Sequence, residues 1–433
     1  DGQTRTPRNS PPLVNATLPR QVPYFLHFDG QFSTAAELAT GTMTGRNFGW
    51  LPEENAMAVA HIGRVIREDN GSDPLAAPCG GVSYTTLLLG TDPALPVACR
   101  LPAPLRMDVI ASSDSEVVQG VASLLAAYMG ALTFAADDQG RYVGSPFDRF
   151  LILNDLPRQP EPGEAPLVYA RRLRAALAGL VSPKLLDNPQ ALSFAHHDQR
   201  FAFGSEELSG LRIFLAETAG EPSSEELARG GIGNCIACHA PPAFTDFGFH
   251  NNGSAQFEYD RIHGNGAFAA LTIPTLAERG LSAEKYLPPS ALYPAGRGLY
   301  MTPPTAERPG EVDLGLWNVF ANDAVPTPQE TLLGVAGAFD GAPPQATLGD
   351  LLPLTIATFK TASLRDLGQS PPYFHNAAAP TLRDAVQHYL TVSVAARAGT
   401  LRNGALALRR VTLVASDVAP LVAFLRALNE DYE

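Results

Sequence analysis

Gly230-Gly-Ile-Gly-Asn-Cys235-Ile-Ala-Cys238-His239 is the stretch on which the reading of this chain turns. Two cysteines separated by two residues present both thiols from one helical turn. The histidine that follows directs its imidazole toward the same point. That pattern attaches haem c: each thiol adds across a porphyrin vinyl group, and the imidazole becomes the proximal iron ligand. A bare Cys-x-x-Cys would also suit thioredoxin-type exchange or half a zinc site. His239 weakens both alternatives, and no second cysteine pair completes a zinc site. Covalent haem implies maturation across a membrane, so the expected location is the periplasm or cell surface.

Four cysteines cannot staple 433 residues, so the chain is no disulfide scaffold. Cys79 and Cys99 flank a Gly/Pro/Thr-rich stretch. In an exported protein they are expected to close a surface loop as a disulfide; in the cytosol they would be free thiols.

Outside the motif, composition sets bounds. Hydrophobic residues make up 45% and charged residues 17%, which excludes a disordered chain. The length suits two or three domains. A net charge of −13, with no Lys/Arg run, argues against nucleic acid as partner and favours basic partners. Lys184, Lys285 and Lys360 are the only lysines. The apolar run 117–136 is just long enough to span a bilayer, but it is rich in Ala and Gly and lacks basic flanks and an aromatic belt. It is expected to be a buried helix, and no transmembrane segment is expected. Asp1-Gly-Gln-Thr-Arg has no apolar signal segment, so a mature, processed or truncated chain is expected.

Helical signals fall at 52–67, 114–136, from Ser145-Pro-Phe-Asp148, and at 167–180, 206–219, 223–230, 381–394 and 415–429. Thr327-Pro-Gln-Glu330 combines a capping box with proline at the first helical position and opens a helix to about 339. Residues 1–30 read as extended, 71–107 as irregular, and 240–326 as mostly loop. Period-2 alternation is scarce, so the expected class is mainly α with long loops.

The flanks of the motif carry a family resemblance. Residues 230–239, then Phe244-Thr-Asp246 and Phe249-His-Asn251-Asn-Gly253, resemble the second haem domain of the bacterial di-haem cytochrome c peroxidase/MauG family. Phe359-Lys-Thr-Ala-Ser-Leu-Arg365-Asp, Pro371-Pro-Tyr-Phe-His375-Asn and Thr381-Leu-Arg-Asp-Ala-Val-Gln-His-Tyr389 resemble its C-terminal signature. Arg8-Asn9-Ser-Pro-Pro-Leu-Val-Asn15, Phe28-Asp29-Gly30 and Ser145-Pro-Phe-Asp148 resemble its N-terminal domain. The resemblance is specific in the C-terminal half and patchy before residue 200.

It implies two cytochrome c-like haem domains: 1–204, peroxidase-type, and 205–433, carrying the covalent haem. The first Cys-x-x-Cys-His is missing from the chain. Either it lies upstream of Asp1 in a longer parent, or this is a variant with one covalent haem. By position, the second haem's sixth ligand falls on Tyr389, where MauG-type enzymes have tyrosine and the peroxidases methionine. A phenolate favours oxidised iron. Tyr389 as a core aromatic, His388 and Met301 are the competing readings. The family's interdomain calcium maps to Asn9, Ser370 and Pro372, and oxygen ligands suit that ion. A Trp usual beside the Asp-Gly is Phe28 here. The distal Gln and Glu lack clean counterparts; Glu37 and Glu53 are the nearest acids, each also readable as a solvated helix residue. His27, His196, His197, His250 and His263 are further candidate iron ligands, and Trp50 and Trp317 candidate core or interface residues.

The function implied is a c-type haem oxidoreductase that reduces hydrogen peroxide, or oxidises a protein substrate through high-valent haem iron. A non-catalytic electron-transfer cytochrome on the same scaffold is the alternative. A small cytochrome or cupredoxin is the implied redox partner, and a homodimer the implied assembly.

Overall fold

The computed structural model describes residues 8–18, 20, 24–186 and 193–431. The expected extended segment 1–30 therefore lies in part outside the described residues. The chain is mainly α, in agreement with the sequence, with one two-stranded antiparallel ribbon.

Most expected helices are present: Asn55–Glu68, Asp114–Ala131, Pro146–Leu153, Pro166–Ala178, Ser205–Leu215, Ser224–Arg229, Gln329–Gly337, Leu382–Arg397 and Val418–Arg426. Their starts follow local chemistry. The side chains of Ser113, Ser145, Ser223 and Thr381 accept the N3 backbone amide, and the N3 carboxylate reaches back. The helix expected over 114–136 stops at Ala131, because residues 133–135 turn back and Ala136 pairs with Tyr142.

The expectations for the long loops hold in outline and need detail. The stretch 240–326 is mostly loop, as expected, and carries the short helices Ser254–His263, Ala267–Ala270, Leu276–Leu281 and Ala283–Tyr286. One of these opens with a Thr275/Glu278 capping box, a signal present in the sequence. A Thr34/Glu37 box likewise opens Ala35–Met43, which the periodicity did not reveal. The irregular segment 71–107 also holds the short helix Tyr84–Leu89. There Cys79 and Cys99 are joined in a disulfide, with Cα atoms 5.7 Å apart.

The largest core is built from Pro146–Leu153, Pro166–Ala178, Ser205–Leu215 and Val418–Arg426, and so draws on both sides of residue 204. Ser205–Leu215 and Val418–Arg426 cross closely at Gly210, where a Cβ would stand 1.9 Å from the Pro420 carbonyl oxygen. Only glycine permits that approach. A second core gathers Phe25 and Phe28 with Phe249, Phe268, Trp317 and Phe359. Trp317 is thus a core residue. The ribbon Phe249–His250 against Phe359–Lys360 joins this core to the segment after the cysteine motif. No helix among the described residues is long and apolar enough to cross a membrane.

Glu430 gives the fold a pH dependence. It is 1% exposed; Oε1 accepts the Ala135 amide at 2.6 Å, and Oε2 has no partner. Burial outweighs the Ala135 amide and Arg365 and raises its pKa to about 7. The folded state then holds the proton more tightly than the unfolded chain. Its stabilisation is full below about pH 4.5 and is lost as pH rises through 7. Glu430→Gln is expected to flatten that decline, on the order of 3 kcal/mol, in urea denaturation at a series of pH values.

Candidate haem site

The residues before the cysteines shape the turn. Gly233 is required because a Cβ there would lie 2.8 Å from both Cys235 Sγ and the Ile213 carbonyl oxygen. Asn234 adopts a left-handed φ of 50°, and its side-chain amide donates to the Ala407 carbonyl at 2.9 Å. Cys235–Ala237 then forms a 3-10 turn, and the His239 amide donates to the Cys235 carbonyl at 2.8 Å. Neither thiol is in a disulfide. Burial pushes the Cys235 thiol up to about 12, so it is held protonated.

His239 Nδ1 lies 2.9 Å from the Phe244 carbonyl oxygen. A carbonyl only accepts, so Nδ1 carries the proton and Nε2 keeps its lone pair. Burial lowers the imidazole pKa and keeps the ring neutral. A neutral imidazole with its second nitrogen anchored is the form in which histidine ligates a metal.

Cys235, Cys238, His239 and Tyr389 line one cavity of about 250 Å³, walled largely by apolar side chains such as Phe28, Phe214, Phe359 and Leu421. An apolar cavity with two thiols outside any disulfide and a free imidazole nitrogen fits a covalently held haem. The Leu382–Arg397 helix delivers Tyr389 to this wall. Burial raises the phenol to about 12. The neighbouring His388 does not line the cavity; its Nε2 donates to the Asn252 carbonyl at 2.7 Å, and its ring packs on Phe257 and Phe374. Met301 also lies elsewhere, its sulfur 3.8 Å from Arg46.

At the cavity edge, Cys238, Asp246 and His250 bring one ligand-type atom each within 4.8 Å. His250 Nε2 and Asp246 Oδ2 are 2.7 Å apart. Burial opposes the His250 cation, but Asp246 and Cys238 outweigh it and hold its pKa at about 10.

Asn9, Ser370 and Pro372 also reach the cavity wall. The Asn9 side-chain amide donates to the carbonyls of Pro372, at 2.5 Å, and Phe374, at 3.3 Å. Arg8 anchors this segment between the buried carboxylates of Asp29 and Asp313. His375 stacks on Phe359 at 3.5 Å between ring centroids, and its Nε2 has no partner.

Other candidates lie elsewhere. Glu37 is the N3 residue of a capping box, its carboxylate accepting the Ser33 and Thr34 amides. Glu53 is exposed in the 3-10 turn Pro52–Glu54. Neither lines the cavity. The His27 ring packs edge-on to Phe32. His197 pairs with Asp366, and the His196 amide donates to Asp431. His263 stacks on Tyr259, and Trp50 packs against His61. Lys360 went unmarked in the sequence, although it is one of only three lysines, and it lines the cavity.

No family model matches the chain, and no curated protein matches it. Solved structures do. Among the solved structures it resembles are a di-haem peroxidase and a MauG-like protein. The di-haem peroxidase BthA from Burkholderia thailandensis is 16% identical over 98% of this chain and 72% of its own, with a TM-score of 0.40. A variant of it is 17% identical over 98% and 73%, at 0.42. A MauG-like protein associated with microbial copper homeostasis is 14% identical over 98% and 76%, also at 0.42.

Proposed function

We propose that the chain is an exported c-type haem oxidoreductase of the di-haem peroxidase/MauG type, located in the periplasm or at the cell surface. One observation carries this: Cys235, Cys238 and His239 face the same apolar cavity as Tyr389, with His239 Nε2 free and the Nδ1 proton held by Phe244. Haem, when bound, supplies one-electron transfer and peroxide chemistry. Cys235 and Cys238 form the covalent attachment. With haem bound, His239 and Tyr389 would be the residues that ligate its iron. The apolar wall excludes water around them.

The division at residue 204 belongs to the same proposal, with residues 1–204 serving a first haem supplied from outside this sequence. So does calcium. Rotating the Asn9 amide by half a turn, at the cost of the hydrogen bond its oxygen accepts from the Ser10 amide, sets that oxygen beside the Pro372 and Phe374 carbonyls, and with Ser370 this gives the oxygen-only donor set calcium takes. Hydrogen peroxide is the proposed substrate and a small cytochrome or cupredoxin the proposed electron donor, with a homodimer as the assembly.

A specific observation favours the second reading, an electron-transfer cytochrome, for this cavity. No carboxylate is among its described lining residues, and the one protonated imidazole there, His250, is engaged by Asp246, whereas peroxide cleavage needs a proton donor near the distal oxygen. The test is peroxide-dependent oxidation of a reduced small cytochrome by the holoprotein. Turnover supports the peroxidase reading; none, with intact electron exchange, replaces it with the relay. Tyr389→Phe is expected to alter the ferric haem spectrum, and an unchanged spectrum removes the tyrosine ligand.

A further inference from the structure

We propose that Lys360, backed by Arg20, is the carboxylate-binding corner of the cavity and takes the propionates of the haem; this rests on the haem reading above. Lys360 is the only Lys, Arg, Asp or Glu among the cavity's described lining residues. Its backbone is fixed by the ribbon, with the amide donating to the Phe28 carbonyl at 2.7 Å. Among the described residues its ammonium forms no ion pair or hydrogen bond. The nearest opposite charge, Asp29, is already held by Arg8.

The next charge is of the same sign. Arg20 repels the Lys360 ammonium and has no carboxylate partner among the described residues. Its guanidinium lies over the Phe247 ring at 3.9 Å and donates to the Ala16 carbonyl, while Nε is buried without a partner. Burial first, and Arg20 second, lower Lys360 to about 7. Two neighbouring cations without an anion are costly in a low-dielectric wall. A dicarboxylate entering the cavity removes that cost and restores the ammonium. Haem brings two carboxylates on one edge of an otherwise apolar disc, and among the described lining residues Lys360 is the cation without a carboxylate partner, His250 being paired with Asp246.

The experiment compares holoprotein carrying Lys360→Met, Lys360→Arg or the remote surface control Lys184→Met with wild type. Intact mass reports covalent haem, and spectroelectrochemical titration reports the iron couple. Lys360→Met is expected to keep the haem and move the couple negative, raising the ferric-to-ferrous ratio at fixed potential roughly tenfold, because an uncompensated propionate favours the more positive iron. Lys360→Arg stays near wild type and Lys184→Met is silent. Should Lys360→Met not fold, Arg20→Gln reads the same interaction as a smaller shift of the same sign. Haem retained with an unmoved couple in Lys360→Met, or in Arg20→Gln when it stands in, overturns the propionate assignment and leaves the haem reading intact. Wild type without covalent haem overturns both.

Discussion

Replacing Cys235 and Cys238 together by alanine is expected to abolish covalent haem in the exported protein, measured by haem staining of denatured protein and by intact mass. Each single replacement is expected to leave one thioether and a haem that still survives denaturation. The asymmetry follows from the site. The two thiols sit on one 3-10 turn against a common cavity, so each can reach a vinyl group independently. His239→Ala removes the only imidazole presented by that turn. It is expected to change the ligation and colour of the iron while leaving both thioethers possible. If the double variant carried as much covalent haem as wild type, the cavity would not be the attachment site.

The largest stability effect is expected at Arg365. Its side chain is 1% exposed and pairs bidentately with Asp148, itself 4% exposed, at 2.9 and 3.0 Å. Nε donates to the Pro242 carbonyl at 2.7 Å, and the guanidinium lies 4.1 Å from the Tyr142 ring centroid. Asp148 in turn caps its own helix through Ser145. One pair therefore ties the segment just after the haem motif to the helix at 146–153. Removing one partner leaves a buried charge unpaired, which costs about 3–5 kcal/mol. Arg365→Ala and Asp148→Ala are each expected to fall in that range by chemical denaturation. The double variant should cost less than the sum, since each single change already breaks the pair. By contrast, Arg171 in its pair with Glu217 is 55% exposed, and Arg171→Ala is expected to cost under about 1 kcal/mol.

How much of this was legible in the sequence depends on the range of the interaction. Helices opened by proline or a Ser/Thr cap were mostly readable, because capping is a contact within four residues, although Gln329–Gly337 starts one residue later than expected, with Pro328 at its cap position and no Thr327/Glu330 box. The Thr275/Glu278 and Thr34/Glu37 boxes carried the same signal. They escaped notice because the helices behind them are short and their apolar faces are weak. Glu37 shows the same point from the other side: considered as an acid for chemistry, it is committed to its own helix start. In the site, the cysteine motif was legible because haem attachment needs a fixed local spacing. The choice of Tyr389 over His388 rested on the resemblance alone, since adjacent helical residues differ only in direction, and tertiary packing sets which one meets the cavity. Lys360 was invisible for a related reason. A lone lysine acquires meaning only when the wall around it holds no other unpaired charge, and that wall is assembled from segments more than 300 residues apart in sequence.

The most direct test of the central claim is the intact mass of the exported protein together with its pyridine haemochrome spectrum. The structure predicts a haem bound through two thioethers, mapped by peptide mass spectrometry to the fragment containing Cys235, Cys238 and His239. Recovery of that fragment from the exported protein with both thiols free, or joined to each other, would contradict it.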